Sequence, residues 1–362
     1  MIYSKIGKIC WGGVRFKAVF THTYEDIISV ENLLLAWKEF LNGKRNKEDV
    51  LEFQHGLIYQ VMALHRDLKN KTYRHGAYYH FRISDPKPRD IHKASVRDRL
   101  LHHAIHRILY PFFDKKFIYD SHSSRVRRGT HRAMCHFFAY ARKGSRNHSK
   151  TVWVLKCDIK KFFANIDHTI LFSILEKYIS DQDILRLLKT VISSFTSRSN
   201  LEVGLPLGNL TSQLLVNIYM NEFDQFIKHK LKVKYYIRYA DDFVFLSRDK
   251  KYLETILLKV KDFLWNKLRL QLHPNKVSIE TVASGVDFLG WVHFPDYRVL
   301  RTTTKRRMLK RTYGLEEDSP TVQSYLGMLK HGNAYKLSKR IKNGPEYPIL
   351  FRVLGRPMGC RF

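Results

Sequence analysis

The sequence predicts an α+β fold in which a sheet is backed by helices and a helical unit follows at the C-terminal end. Stretches with the apolar spacing of helices alternate with short apolar runs typical of strands. Candidate catalytic carboxylates lie at the ends of these runs, and the tail from Arg301 is markedly basic. These three observations are taken below in chain order.

Helical patterning begins in the first third of the chain, where 27–41 and 51–68 each place apolar residues on one helical face. Residues 79–91 read as extended, since Pro86 and Pro88 exclude a helix. Further helices are predicted over 96–110, 168–194, 212–226 and 251–268, a buried strand over 151–157, and a short hairpin near 285–298.

The most informative feature is Tyr239-Ala240-Asp241-Asp242, which separates two apolar runs, 233–238 and 243–247. The runs predict two strands and a tight turn, with Asp241 and Asp242 at the hairpin tip. Asp158 ends the predicted strand 151–157. Carboxylates converging from strand ends can hold two divalent cations about 4 Å apart for in-line phosphoryl transfer. A solvated turn is the commoner role of an Asp pair, and Asp158 favours the catalytic role.

The composition indicates a globular, nucleic-acid-binding protein. Of 362 residues, 64 are Lys or Arg and 33 are Asp or Glu, which gives a formal net charge of +31. Such a charge repels itself unless a polyanion covers part of the surface. An anionic membrane is the rival partner, but the sequence shows no basic amphipathic helix with strongly segregated faces.

Targeting signals and cysteine motifs are not found. The four cysteines are far apart, so zinc and disulfide motifs are both poor matches. No apolar run approaches the roughly 18 residues of a membrane span, and the first twenty residues do not read as a signal peptide. We therefore expect a cytoplasmic protein without a membrane partner.

The order and spacing of seven sequence blocks resemble those of reverse transcriptases across roughly residues 80–292. The blocks are 82–105, 117–133, 155–168, 204–213, 236–246, 270–279 and 286–291. The resemblance implies a right-hand polymerase fold with fingers, a palm of antiparallel sheet backed by helices, and a helical thumb. It implies a basic N-terminal extension over 1–23, fingers and palm over 24–293, and the thumb and tail over 294–362.

The resemblance also implies the catalytic residues. Asp158, Asp241 and Asp242 would hold two Mg²⁺ ions, for which Mn²⁺ can substitute, and Ile159 would add a backbone carbonyl. Lys276 would protonate or neutralise pyrophosphate, although a surface lysine on a turn is nearly as plausible. Metal binding by the i, i+4 pair in His102, His103 and His106 is not favoured, since the family has a structural helix there.

Substrate contacts follow from the same blocks. Lys87 and Arg89 would meet the incoming triphosphate, and Phe163 would exclude a ribose 2′-hydroxyl unless it is simply a core residue like Phe162. The remaining expected contacts are Leu207, Gly208 and Gln213 for the nucleotide, and Tyr239, Phe288, Leu289, Gly290, Arg306 and Arg307 for primer and template.

Block four indicates the subtype. Group II intron enzymes carry Gln-Gly-x-x-x-Ser-Pro there, whereas this chain has Leu207-Gly208-Asn209-Leu210-Thr211-Ser212-Gln213. That variant resembles the reverse transcriptases of diversity-generating retroelements, which copy a template-repeat RNA, misincorporate opposite adenines and deliver the cDNA to a variable gene. The implied partners are the template-repeat RNA, the RNA/cDNA hybrid and a small, basic, helical accessory protein that forms an oligomer, by resemblance a pentamer.

Three alternatives remain open. One is a retron-like or defence-associated reverse transcriptase that uses its own structured RNA. Another is a non-catalytic relative that serves as an RNA-binding scaffold, which the intact carboxylates argue against. The last is a basic structural RNA-binding protein without polymerase activity, which the ordered blocks disfavour.

Overall fold

The computed structural model of the protein describes residues 20–84, 88–197 and 202–342. The chain forms two compact units, each assembled from separate stretches of sequence. The first contains the chain as far as Phe117, Lys161–Phe223 and Lys267–Leu270. The second contains Ile118–Lys160, Asp224–Asn266 and the chain from Gln271 onward.

The described residues contain helices and antiparallel strands in the following order. The helices are α1 (Tyr24–Ile28), α2 (Val30–Phe40), α3 (Glu48–His55), α4 (Leu57–Lys69), α5 (Val96–Asp114), α6 (Thr130–Gly144), α7 (His168–Glu176), α8 (Gln182–Ser193), α9 (Leu210–Gln225), α10 (Lys250–Leu268), α11 (Thr302–Thr312), α12 (Pro320–Leu329) and α13 (Tyr335–Lys342). The strands are β1 (Tyr79–Ile83), β2 (Arg89–Lys93), β3 (Trp153–Asp158), β4 (Tyr236–Tyr239), β5 (Asp242–Ser247), β6 (Ser278–Thr281), β7 (Val286–Phe288), β8 (Trp291–His293) and β9 (Arg298–Leu300).

The first unit is mainly helical. Its first helices are shorter than predicted, because Ser29 and Gly56 divide the two expected helices into four. The Ser29 hydroxyl accepts a hydrogen bond from the Asn32 amide and so caps α2. The extended segment 79–91 is confirmed as the antiparallel β1–β2 hairpin.

The second unit is built on a four-stranded antiparallel sheet with strand order β4-β5-β3-β6. The predicted strand ending at Asp158 is confirmed as β3, which pairs with β5 on one side and β6 on the other. Helix α6 packs on β4 and β5 and buries Phe137 against Val154 and Val244. Neither α6 nor β6 was predicted, since the basic segment 124–132 and the short run 278–281 carry no clear periodicity.

A second, three-stranded sheet follows in the same unit. Its strand order is β7-β8-β9, so the predicted short hairpin gains a third strand. Trp291 and Leu300 from this sheet share a core with Met308 of α11 and Val322 of α12. The helical C-terminal region predicted from the sequence is therefore confirmed as far as Lys342.

Candidate active site

The turn between β4 and β5 carries the first of the three predicted carboxylates. Tyr239 pairs with Asp242, so the turn contains only Ala240 and Asp241. Ala240 has φ = 54°, a left-handed conformation that tight hairpins require and that residues without a branched Cβ tolerate best. The hairpin is confirmed, but only Asp241 lies at its tip, because Asp242 is already the first residue of β5.

Asp158 lies beside this turn because β3 and β5 are neighbours in the sheet. Asp158 is the register partner of Asp242, and the Ile159 amide donates a hydrogen bond to the carbonyl of Asp241 at 3.3 Å. Pairing of two strands therefore places the carboxylates of Asp158, Asp241 and Asp242 at one end of the sheet.

The electrostatics of these carboxylates favour a cation. Burial raises the pKa of Asp241 to about 6, and the negative charges of Asp158 and Asp242 add to the effect. Burial is also the main reason that the pKa of Asp242 is raised. Among the described residues, the buried Oδ1 of Asp242 has no hydrogen-bond partner. Oxygen ligands with unmatched negative charge fit a hard divalent cation such as Mg²⁺.

Lys276 is the cationic side chain next to Asp158. Its Nζ donates hydrogen bonds to Oδ1 and Oδ2 of Asp158, both at 2.8 Å. Lys276 ends a short 3₁₀ helix, Pro274–Lys276, at whose start His273 accepts a hydrogen bond from the Asn275 amide. The structure therefore brings Lys276 to the carboxylates, in direct contact with one of them.

The sequence analysis missed a buried ion pair that supports the turn. Arg238 and Asp224 have fully buried side chains, with 2.7 Å between Nη2 and Oδ2. Arg238 Nη1 also donates to the carbonyl of Ala240 at 3.1 Å, and Nη2 donates to Ser121 Oγ at 3.0 Å. The pair therefore fixes the backbone immediately before Asp241. An arginine inside a buried strand was the signal that could have indicated it.

The predicted nucleotide contacts belong to the first unit. Phe163 is half-buried in a 3₁₀ helix, Phe162–Asn165, beside the buried Phe162. Leu207 is half-buried, and its carbonyl accepts a hydrogen bond from the His92 amide at 3.2 Å. Arg89, Gly208 and Gln213 are exposed, and Lys87 lies outside the described residues.

The predicted primer and template contacts lie in the second unit. Leu289 and Gly290, with φ values of 52° and 86°, form the turn between β7 and β8. The Phe288 ring is fully buried in the core, so any contact with a primer would come from this turn and not from the ring. Tyr239 accepts a hydrogen bond from Thr130, and α11 carries the exposed Arg306 and the half-buried Arg307.

Comparison with known families decides the identity. The family described as reverse transcriptase (RNA-dependent DNA polymerase) matches residues 84–293, more than half of the chain. The chain belongs to the reverse transcriptase family. Membership places it among RNA-directed DNA polymerases, a class of nucleotidyltransferases, and implies the right-hand polymerase fold.

Several curated proteins resemble this reverse transcriptase. Protein YkfC of Escherichia coli strain K12 is 26% identical over 57% of this chain and 63% of its own length. The group II intron-encoded protein LtrA of Lactococcus lactis is 24% identical over 80% of this chain and 58% of its own length. The retron Ec83 reverse transcriptase of Escherichia coli is 31% identical over 36% of this chain and 44% of its own length. The matched region thus covers about three fifths of YkfC and LtrA.

No helix in the described ranges is both long enough and apolar enough to span a bilayer.

Proposed function

We propose that the chain is an active RNA-directed DNA polymerase whose catalytic ligands are Asp158, Asp241 and Asp242. The observation that carries this proposal is the register pairing of Asp158 with Asp242, next to Asp241 in a two-residue turn. When bound there, two Mg²⁺ ions, or Mn²⁺ in their place, supply Lewis-acid activation of the primer 3′-hydroxyl and neutralise the leaving group. The backbone carbonyl of Ile159 is a further proposed ligand.

The other residues of the proposed site bind and orient the substrates. Lys276 neutralises or protonates pyrophosphate, which its position beside Asp158 supports. Lys87 as a point charge and Arg89 as a fork bind the triphosphate, and Phe163 faces the ribose. Further proposed contacts are Leu207, Gly208 and Gln213 for the nucleotide, and Tyr239, the turn at Phe288-Leu289-Gly290, Arg306 and Arg307 for primer and template.

The biological reaction that we propose is mutagenic retrohoming by a diversity-generating retroelement. Leu207 at the start of block four supports it, because an aliphatic side chain replaces a polar one near the expected base pair. The template would be a template-repeat RNA, held as an RNA/cDNA hybrid on the basic surface, and the protein partner a small basic accessory protein, proposed to be pentameric. A retron-like enzyme using its own RNA is the second candidate, favoured by the 31% identity to the retron Ec83 reverse transcriptase.

Primer extension on an RNA template tests the polymerase proposal. Asp241→Asn should reduce extension about a thousandfold or more, because a metal-bridging charge is lost, while RNA binding stays nearly unchanged on a surface of net charge +31. Asp296→Asn makes the same charge change at a side chain that is 81% exposed and serves as the control. Extension by the Asp241 variant within threefold of the parent would refute the ligand assignment.

Sequencing the cDNA tests the retroelement proposal separately. The parent enzyme should misincorporate frequently opposite template adenine on any RNA template. Low and equal error at all four template bases would refute this proposal and leave the polymerase proposal intact. Copying restricted to one structured RNA from the same locus would favour the retron-like candidate.

A further inference from the structure

A second group of potential metal ligands lies on the same unit as the carboxylates. Asp120, His122 and His136 bring one ligand atom each to within 4.8 Å of one another. In the part of the chain that the structure describes, no other three His, Cys, Asp or Glu residues do so, and Asp158, Asp241 and Asp242 do not. Asp120 and His122 precede α6, and His136 lies on it.

The histidines of this cluster have buried nitrogens that lack partners. His122 is fully buried, and neither its Nδ1 nor its Nε2 has a hydrogen-bond partner among the described residues. His136 Nδ1 is likewise buried and unpartnered, at 3.8 Å from Asp120 Oδ1. Burying an imidazole nitrogen without a partner costs free energy. A metal ion would remove that cost, because the nitrogens would become ligands.

The protonation states suit metal binding. Burial lowers the pKa of His122 to about 3, with further contributions from His136 and from nearby arginines. Burial also lowers the pKa of His136. Both rings are therefore neutral at pH 7 and keep a lone pair for a metal.

The carboxylate of the cluster is already oriented by neighbouring side chains. Tyr140 donates to Asp120 Oδ1 at 2.5 Å, and Lys228 lies 2.8 Å from Oδ2. Hydrogen bonds of this kind to a ligating carboxylate are a regular part of metal sites. A ligating Asp120 would therefore need little reorganisation.

The surroundings determine which ion the cluster suits. Lys228 next to Asp120, and Arg125, Arg128 and Arg132 near His122, oppose ions held mainly by charge, such as Mg²⁺ and Ca²⁺. Zinc forms stronger bonds with imidazole nitrogen, and two histidines with one carboxylate are an established ligand set for it.

We propose that Asp120, His122 and His136 form a zinc site, distinct from the carboxylates that bind the polymerase metals. The ion would tie the segment before α6 to α6 itself. The same segment borders β4, because Arg238 donates its amide to the Asp120 carbonyl and accepts from the His122 amide, both at 3.0 Å. The zinc site would thereby stabilise the strand that leads to Asp241.

Metal analysis of the purified full-length chain tests this proposal. The parent should carry about one zinc per chain, whereas His122→Ala and His136→Ala should each lose at least 90% of it. His131→Ala, a change of an exposed histidine on the same helix, and Asp241→Asn should both retain it. After chelation, zinc at a hundredfold excess over Kd should raise the Tm by about 5 °C or more, and Mg²⁺ should not.

A measurement on the parent alone covers the case in which a histidine variant does not fold. Titration of the chelated parent with Co²⁺ should produce the visible absorption of a tetrahedral site at one equivalent. Absence of both that absorption and the zinc-induced Tm shift would overturn the proposal. Equal zinc content in the parent and the folded histidine variants would also overturn it.

Discussion

Lys276 Nζ lies 2.8 Å from both carboxylate oxygens of Asp158. The lysine side chain is 40% exposed and the aspartate side chain 13%, so the ion pair is open to solvent on one side. An ammonium group that engages both oxygens competes with any cation that uses Asp158 as a ligand. The pair therefore has consequences for metal binding as well as for the leaving group.

Replacing Lys276 should separate these two consequences. In Lys276→Met the competing charge is gone, so the Mg²⁺ concentration at half-maximal extension should fall. The lost proton donor or counter-charge should lower kcat by about a hundredfold. Extension rates across a Mg²⁺ titration measure both, with Lys251→Met, an exposed lysine on α10, as the control. An unchanged kcat would remove Lys276 from the catalytic residues.

Phe163→Ala should admit ribonucleotides. Phe163 is half-buried, so loss of its ring should open space for a 2′-hydroxyl and raise ribonucleotide incorporation by about a hundredfold. Phe162→Leu is the matched control, because the neighbouring ring is only 3% exposed and serves packing. Extension with each nucleotide type is the measurement. An unchanged preference for deoxynucleotides would make Phe163 a packing residue.

Leu207→Gln should make the enzyme more accurate. A polar group near the nascent pair penalises mispairs by about 1–3 kcal/mol, so errors opposite adenine should fall by one to two orders of magnitude. The Leu207 carbonyl bond to His92 does not involve the side chain and should persist. Sequencing of cDNA is the readout, and Leu210→Gln, on the first turn of α9, is the control. High error that the substitution leaves unchanged would exclude Leu207 as its cause.

The buried pair of Arg238 and Asp224 allows stability and activity to be distinguished. Arg238→Met leaves a buried carboxylate unpaired and should cost about 3–5 kcal/mol in the free energy of unfolding. Arg238→Met combined with Asp224→Leu should recover most of that stability. Extension should stay at least tenfold low in the double variant, because the bond to the Ala240 carbonyl is still missing. Urea unfolding and extension rates check both, and full activity of the double variant would deny Arg238 a positioning role.

The stability of the first unit should fall in mild acid. Burial, followed by the charge of His75, lowers the pKa of His102 to about 3. The folded form is then neutral, while the unfolded form takes up a proton below its ordinary pKa of about 6.5. Stability from this residue is complete above pH 6.5 and is lost as pH falls towards 3, by up to about 2 kcal/mol at pH 5. Urea midpoints at about pH 7.5 and pH 5 should differ less in His102→Gln than in the parent or in the exposed control His55→Gln.

Local patterns in the sequence were sufficient for the hairpin and for the strand that ends at Asp158. Alternating apolar residues fix a strand, and a two-residue gap fixes a turn, so the carboxylates could be placed before any tertiary contact was known. Boundaries were less accurate, since Ser29 and Gly56 end helices that apolar spacing alone would continue.

Contacts between distant parts of the chain could not be predicted in the same way. The pairing of Arg238 with Asp224 and the convergence of Asp120 with His136 depend on packing, and isolated polar residues carry no periodic signal. The histidines that did attract attention, His102 and His106, do not share a metal site. His102 lies 3.2 Å from His75 through their Nε2 atoms, and His106 stacks on Tyr110.

The pairing of β3 with β5 also governs how the protein is made. The sequence between Asp158 and Asp242 spans 84 positions, which the ribosome adds in about 4–17 s at ordinary rates of synthesis. Throughout that interval the apolar strand β3 has emerged without either of its neighbours, and an unpaired strand edge of this kind promotes aggregation. Correct assembly of the sheet in the cell therefore depends on keeping β3 apart from other chains until β5 and β6 arrive.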